Sequence, residues 1–346
     1  MSETMKVHNI TLFHVELAMR NPFSTHQGSL TKRPLIIVKA TDESGNAGWG
    51  EVTAFPGPFY TSETIDTAWH ILKDFLLEQD SLTKLSHPSE FSSEFSHIQG
   101  HQMAKAGLEA AYWDLFAKQR KKSLKELLGG SRSFVKAGAV INLSENFREK
   151  LPLFKEQGYE RYKLKVEKGK EKEAVAAVKE LDSEVQLMID ANGAYNEEDL
   201  SYLASLDELG LLMLEQPFPA GDFYLHSELQ KRMKTPVCLD ESVMSLHDAK
   251  QAVRLKSCQM INIKISRVGG LSTSMDIHNY CMDNDIPVWC GGMVESGISK
   301  AHNLALASLA NFTVPGDLSS SERYFFKDLV VPPLTIHGGR WKCLIS

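Results

Sequence analysis

Arg161 to Lys165 (RYKLK), Val185 to Asp190 (VQLMID), Leu211 to Glu215 (LLMLE), Pro236 to Asp240 (PVCLD) and Met260 to Lys264 (MINIK) are short apolar runs, each closed by a charged residue. The closing residues follow one another at gaps of 25, 25, 25 and 24. A strand of about five residues, a helix of ten or more and two short loops give a step of this length. The spacing therefore predicts consecutive βα units with a charge at the carboxyl end of every strand. In a parallel (β/α) barrel those ends converge on one face, where chemistry is placed. Three carboxylates flanked by two lysines on one rim point to a divalent metal held between two acid/base groups.

Working outward, Val135 to Ile141 supplies a first barrel strand, and Pro287 to Cys290 and Phe312 to Val314 a seventh and an eighth. The basic run Lys118 to Lys125 reads as a solvated helix face, and with Gly129-Gly130 it marks a boundary. Before it, the alternating segment Val7 to Leu17, the run Leu35 to Ala40 and a Gly-rich hairpin at Ser44 to Gly48 lead into GWGE at Gly48 to Glu51. Two helices follow, with apolar positions from Ile65 to Leu76 and from Ala104 to Leu115 spaced by three and four. Strands followed by helices suggest an α+β domain. The expected division is a capping domain at 1–127, a barrel at 128–318, and a tail at 319–346 that returns to the capping domain.

The 346 residues allow one large barrel and a smaller partner, and 42% apolar content gives a sizeable core. A net charge of −6 offers no electrostatic footprint for nucleic acid or an anionic membrane, so the expected partner is a small molecule. Apolar stretches fall short of the roughly 20 residues of a membrane helix, and Met1 to Ile10 shows no secretory signal. Five cysteines without a CxxC pair read as free buried thiols in a reducing cytoplasm. Oligomeric state is left open, a homo-oligomer included.

Asp190, Glu215 and Asp240 are hard oxygen donors, and no His or Cys stands at an equivalent strand end. That favours Mg²⁺, with Mn²⁺ as the alternative. A lone strand-end Asp is also an ordinary helix cap; three in succession at a common step are not explained that way. Lys163 and Lys165 stand two apart, so they share a strand face. An exposed strand gives the same pattern, but in register with the buried series an inward lysine pair is costly without partners. Neighbouring ammonium groups lower each other's pKa, and a lysine so depressed can act as a general base. Lys264, four strands further round, approaches from the opposite side. Gly291-Gly292-Met293-Val294-Glu295 is either a ligand-binding loop or a Gly-rich turn.

KxK, IDAN, LEQP, LDES and NIKxxRVGG at these spacings resemble the enolase superfamily, in its muconate-lactonizing-enzyme-like subgroup. GWGE with Phe55, Tyr60-Thr61 and Glu63, then GGMVESGISKAHN and GDLSSSERYF, resemble the o-succinylbenzoate synthase and N-succinylamino acid racemase family. The resemblance spans nearly the whole chain. It implies an α/β fold, a modified TIM barrel (β/α)7β with an N-terminal α+β capping domain completed by the C-terminal tail. Enolase-superfamily sites pair a Lys or His base with Mg²⁺. Carried over, Asp190, Glu215 and Asp240 would hold the metal, Lys165 would be the base, Lys163 its pKa-lowering neighbour and Lys264 the lysine of the other face. Asn192 would sit beside the metal, and Gly292 and Met293, with Glu295 in the same loop, near a succinyl group. Met19 to Leu30 would be a mobile loop closing over substrate. Arg267 would either bias Lys264 toward acid/base work, within reach of substrate, or form a salt bridge on the rim. The first strand departs from the family pattern at Val140 and Asn142. The implied activity is syn dehydration of 2-succinyl-6-hydroxy-2,4-cyclohexadiene-1-carboxylate to o-succinylbenzoate in menaquinone synthesis, a carbon–oxygen lyase reaction on a small-molecule carboxylate. Racemisation of N-succinylamino acids is the alternative, followed by dipeptide epimerisation or a non-catalytic carboxylate-binding barrel.

Overall fold

The computed structural model describes residues 4–25, 28–78, 85–142 and 147–343. The alternation predicted near the N-terminus becomes a three-stranded antiparallel sheet, β1 (Asn9–Thr25), β2 (Gly28–Thr41) and β3 (Ala47–Val52). Met19 to Leu30, expected as a loop, is instead largely the paired far end of β1 and β2, with Phe23 opposite Leu30; residues 26 and 27 lie outside the described residues. The sheet packs on the Gln102–Arg120 helix, whose Ala, Leu and aromatic side chains are buried. GWGE supplies the close approach: a Cβ at Gly50 would overlap the Gly107 carbonyl, and one at Gly48 that of Ala111.

The predicted βα series forms one parallel sheet in the order β11-β10-β9-β8-β7-β6-β5, with no strand inserted between sequence neighbours. Its strands are β5 (Ala139–Asn142), β6 (Tyr162–Lys165), β7 (Leu187–Asp190), β8 (Met213–Glu215), β9 (Val237–Leu239), β10 (Met260–Ile263) and β11 (Val288–Cys290). Side chains alternate between two faces. Met188, Met213, Cys238, Met260 and Trp289 make an apolar cluster of their own inside the barrel. Ile189, Leu214, Leu239, Ile261 and Ile263 point the other way, into the main core under the helices.

Two expected strands differ. Val135 to Ile141 is not one strand, because the chain changes partners at Ala137-Gly138. Phe134–Lys136 (β4) pairs antiparallel with β13 (Arg340–Lys342), and only from Ala139 does the chain join β6. Phe312 to Val314 forms no strand but isolated bridges. Phe312 meets Val288, Gly316 meets Ala137 and Asp317 meets Gly291, so this segment spans the gap between β11 and the first strand. Pro315, which lacks an N–H, interrupts its ladder. The tail goes two ways. Tyr324 to Phe326 bonds to β1 at Ala18 to Arg20, whereas β12 (Ile336–His337) and β13 extend the small sheet on β4.

Two buried carboxylates from the first 127 residues sit on the N-termini of barrel helices. Glu51 accepts from Ser296 N (2.9 Å), Ser296 Oγ (2.6 Å) and Ser299 N (3.0 Å) at the start of the Gly297–Ala307 helix. Glu109 accepts from Leu271 N (2.5 Å) and Ser272 N (3.2 Å) at the start of the Leu271–Asp283 helix. Free N–H groups and the helix dipole favour negative charge there. Gly270 leaves the space: a Cβ would run into the Glu109 carboxylate.

Burial dominates at Glu109 and raises its pKa to about 7, despite the hydrogen bonds that oppose it. The folded chain therefore holds a proton that the unfolded chain releases. That contribution is full below the ordinary carboxylate pKa of 4.5 and is lost as pH rises through about 7. Its size is on the order of 3 kcal/mol. The expected result is that wild-type stability falls relative to Glu109→Gln as pH goes from 5 to 8, measured by urea unfolding of both chains; parallel pH profiles would contradict the assignment.

Candidate active site

Above the apolar layer inside the barrel lies a cavity of about 680 Å³ at the carboxyl ends of the strands. The three carboxylates of the 25-residue series each stand two positions beyond an inward apolar residue, Met188 before Asp190, Met213 before Glu215 and Cys238 before Asp240, whereas Lys163 precedes Lys165 and Asn262 precedes Lys264 in the same way. Lys165, Asp190, Asp240 and Lys264 all line the cavity, as do Lys163, Asn192, Gly292, Met293 and Glu295. Phe55, Phe59 and Tyr60 close it from the N-terminal domain. Val140 lines it as well; the side chain of Asn142 lies outside the described ones.

Ion pairs organise the floor. Lys163 Nζ lies 2.9 Å from Asp190, 2.7 Å from Glu215 and 3.0 Å from Asp317. Burial pushes its pKa down, but the three carboxylates outweigh burial and hold it well above the ordinary lysine value. The mutual depression expected of the Lys163 and Lys165 pair is thus outweighed at Lys163 by its three carboxylate partners. Burial raises the carboxyl of Asp190, and Lys163 and Lys165 together bring it below the usual range. At Glu215, burial and the neighbouring Asp190 raise the pKa. Asp317 is held well below the usual range by Arg161 and Lys163 against the effect of burial.

On the opposite side Lys264 Nζ lies 2.7 Å from Asp240 and donates to the Tyr60 hydroxyl at 3.0 Å. Burial lowers its pKa; Tyr60 and Glu241 more than restore it, and the net direction is up. Arg267, expected within reach of substrate, is fully buried behind Asp240, with which it pairs, and donates to the Val243 carbonyl at 2.9 Å. The salt-bridge alternative describes its position, though beneath the rim rather than on it. Asn192 takes a left-handed backbone (φ 44°) and donates to Glu241 at 3.2 Å. Glu295 turns its carboxylate to Lys300 (2.8 Å) and to Met293 N (2.5 Å), so its charge is answered within the protein.

The donor set suits a hard divalent cation. Asp190 and Glu215 are register partners on adjacent strands and both are buried, so the two carboxylates need a cation beside them. Here the Lys163 ammonium fills that role, and Asp240 is turned toward Lys264 and Arg267. Consequently no three acidic, His or Cys side chains among the described residues gather around one point. Glu241, half-buried next to Asp240, keeps its buried Oε2 without a hydrogen-bond partner, a further oxygen beside the cluster. In kind, three carboxylates fit Mg²⁺ or Mn²⁺.

The sequence motifs did not single out Arg161, Glu241 or Asp317 as a site residue. Arg161 had a signal: it shares the period-two face of Lys163 and Lys165, and its guanidinium lies 2.7 Å from Asp317. The role of Asp317 depends on a pairing 156 residues distant, which no local pattern carries.

The N-terminal model of the mandelate racemase and muconate lactonizing enzymes matches residues 7–129, and the enolase C-terminal-domain-like model matches residues 146–343. The o-succinylbenzoate synthase of Bacillus subtilis strain 168 is 45% identical over 97% of this chain and 91% of its own length. The N-succinylamino acid racemase of an Amycolatopsis species is 38% identical over 97% and 91%. An enolase-superfamily crystal structure from Enterococcus faecalis V583 superposes with a TM-score of 0.94 at 40% identity, covering 99% of this chain and 94% of the other. Fold and site define a member of the enolase superfamily, and the chain belongs to its o-succinylbenzoate synthase and N-succinylamino acid racemase family. Among the described residues no helix is long and apolar enough to cross a membrane, and all five cysteines are free and buried.

Removing Asp317 leaves Arg161 and Lys163 buried with one counter-charge fewer. Losing one partner of a buried pair costs about 3 to 5 kcal/mol. Asp317→Ala is expected to lower the denaturant midpoint accordingly, and a change below about 1 kcal/mol would show the network to be dispensable.

Proposed function

We propose that the chain is an o-succinylbenzoate synthase, dehydrating 2-succinyl-6-hydroxy-2,4-cyclohexadiene-1-carboxylate to o-succinylbenzoate in menaquinone synthesis. The observation that carries the reading is the placement of Lys165 and Lys264 on strands four positions apart, facing one cavity above three strand-end carboxylates. Relatives named for this activity, at 40 to 45% identity over nearly the whole chain, support it.

The proton beside a carboxylate is very weakly acidic, so the site must both remove it and stabilise the charge left behind. Lys165 reaches the cavity from an exposed position and serves as the base. It takes the ring proton next to the carboxylate and returns it to the departing hydroxyl on the same face, so the C–O bond breaks, water leaves and the ring becomes aromatic. Lys264, held as an ammonium beside Tyr60 and Asp240, donates toward the enediolate oxygens from the other face. A divalent ion, Mg²⁺ or alternatively Mn²⁺, held by Asp190, Glu215 and Asp240, would supply Lewis-acid stabilisation of the substrate carboxylate. Gly292 and Met293 border the space for the succinyl arm.

Racemisation of N-succinylamino acids uses the same pair, with each lysine giving or taking a proton on its own face. The Amycolatopsis relative supports it as a second activity. Dipeptide epimerisation is disfavoured: an acidic group near the eighth segment would have to hold the substrate amine, and Asp317 is committed to Arg161 and Lys163. A purely binding barrel would need no base.

The deciding experiment is an absorbance assay with the cyclohexadiene carboxylate, with Mg²⁺ and again with EDTA. Fast turnover that EDTA abolishes is expected; no turnover in folded, metal-replete protein would shift the assignment to N-succinylamino acids. Lys165→Ala is expected to lose roughly 10²- to 10⁴-fold or more in both reactions. Lys264→Ala is expected to abolish racemisation and leave a trace of dehydration, and equal loss of both would contradict the electrostatic role of Lys264.

A further inference from the structure

Arg33 lies on β2, outside the cavity, and is completely buried. Its guanidinium spends all five N–H donors on backbone carbonyls. Nη1 donates to Pro34 O (3.1 Å) and Ala54 O (2.7 Å), Nη2 to Thr53 O and to Met293 O (3.3 Å), and Nε to Val294 O (3.3 Å). The same group lies 4.1 Å from the centroid of the Phe55 ring. Phe55, Met293 and Val294 are cavity wall, the first from the N-terminal domain and the others from the loop after β11. One buried cation therefore ties together two walls that belong to different parts of the chain.

The loop it holds is strained. Val294 has φ +56°, a left-handed conformation that a β-branched residue adopts only under constraint. The carbonyls on either side of that φ, those of Met293 and Val294, are the two that Arg33 grips. Glu295 takes the Met293 amide from the opposite direction and is itself anchored by Lys300. The strained turn is thus clamped on both sides, and its conformation decides where Met293 projects.

We propose that Arg33 is a positioning residue for substrate: it holds the Met293-Val294 turn and Phe55 in the geometry that receives the distal, succinyl-bearing part of the substrate, without touching that substrate. This rests on the reading of the loop given above. Arg33 is remote from the reacting proton, so its loss acts on binding more than on the chemical step.

The test compares wild type, Arg33→Lys, Arg33→Met and Arg33→Met combined with Val294→Gly. Glycine adopts φ +56° without strain, so it reduces the need for a clamp. The expected result is a KM for the cyclohexadiene carboxylate raised about tenfold or more in Arg33→Met, with kcat within about threefold. Arg33→Lys falls between, and KM is partly restored in the double variant. A variant that merely weakened the fold would not be rescued by a glycine. Hydrogen exchange of the 291–297 segment is read in parallel, without substrate: it is expected to speed up at least about tenfold in Arg33→Met, while the segment covering β3 is unchanged. Should Arg33→Met not fold, the Arg33→Lys shift in KM and exchange decides. Unchanged KM and unchanged exchange would overturn the proposal, as would equal losses in kcat and KM without rescue. If wild type turned over neither substrate while the exchange result held, the activity assignment and not the clamp would be at fault.

Discussion

Everything in the barrel depends on the two-residue alternation of its strands. Each strand is too short for more than two or three inward positions; β7, β8 and β9 place an apolar group at the lower one and a carboxylate at the upper one, while β6 carries Lys163 below Lys165 and β10 places Asn262 between Met260 and Lys264. Repeating that choice on successive parallel strands stacks an apolar plug beneath a ring of charge, with no separate device needed to bring distant residues together. A slip of one residue in any strand would send its charge outward among the aliphatic side chains under the helices, so the register is fixed by the cost of that error.

A ring of buried charge is stable only if its signs balance locally. Lys163 does this for Asp190, Glu215 and Asp317, Arg161 for Asp317, and Lys264 with Arg267 for Asp240. Lys163 holds Asp190 and Asp317 below the usual carboxylate range while burial and Asp190 raise Glu215, and Lys163 and Lys264 both border the cavity. Lys165 is the exposed one of the set, which suits the base role proposed for it.

Much of this was legible before any coordinates. The step of 25 residues carried the parallel sheet, its strand order and the convergence of the five charged residues, because step length and alternation are local properties. Partner switches were not legible. Val135 to Ile141 reads as one apolar strand, yet its halves belong to different sheets, and only the contacts of Gly138 with Arg161 and Gly316 show why. The eighth strand dissolved into bridges at Pro315, a residue that warned of it. At the site, the gathering of Lys165, Asp190, Asp240 and Lys264 on one cavity followed from position, whereas the satisfied state of Glu295 and the burial of Arg267 depend on what lies behind them. Arg33 gave no signal at all: a lone arginine in a strand reads as solvent-facing, and its partners are 20 and 260 residues away.

The two matched segments, 7–129 and 146–343, look like cassettes that recombination could exchange between relatives. The Gly297–Ala307 helix argues otherwise. It begins immediately after the loop that walls the cavity, and its first turn is closed by Glu51 from the other segment. A hybrid joining one member's N-terminal portion to another's barrel would keep that closure only where the incoming portion carries an acid at the position of Glu51 and meets the helix in the same geometry. The two segments therefore meet as matched surfaces, and the start of the helix behind the cavity loop is set as much by the first segment as by its own.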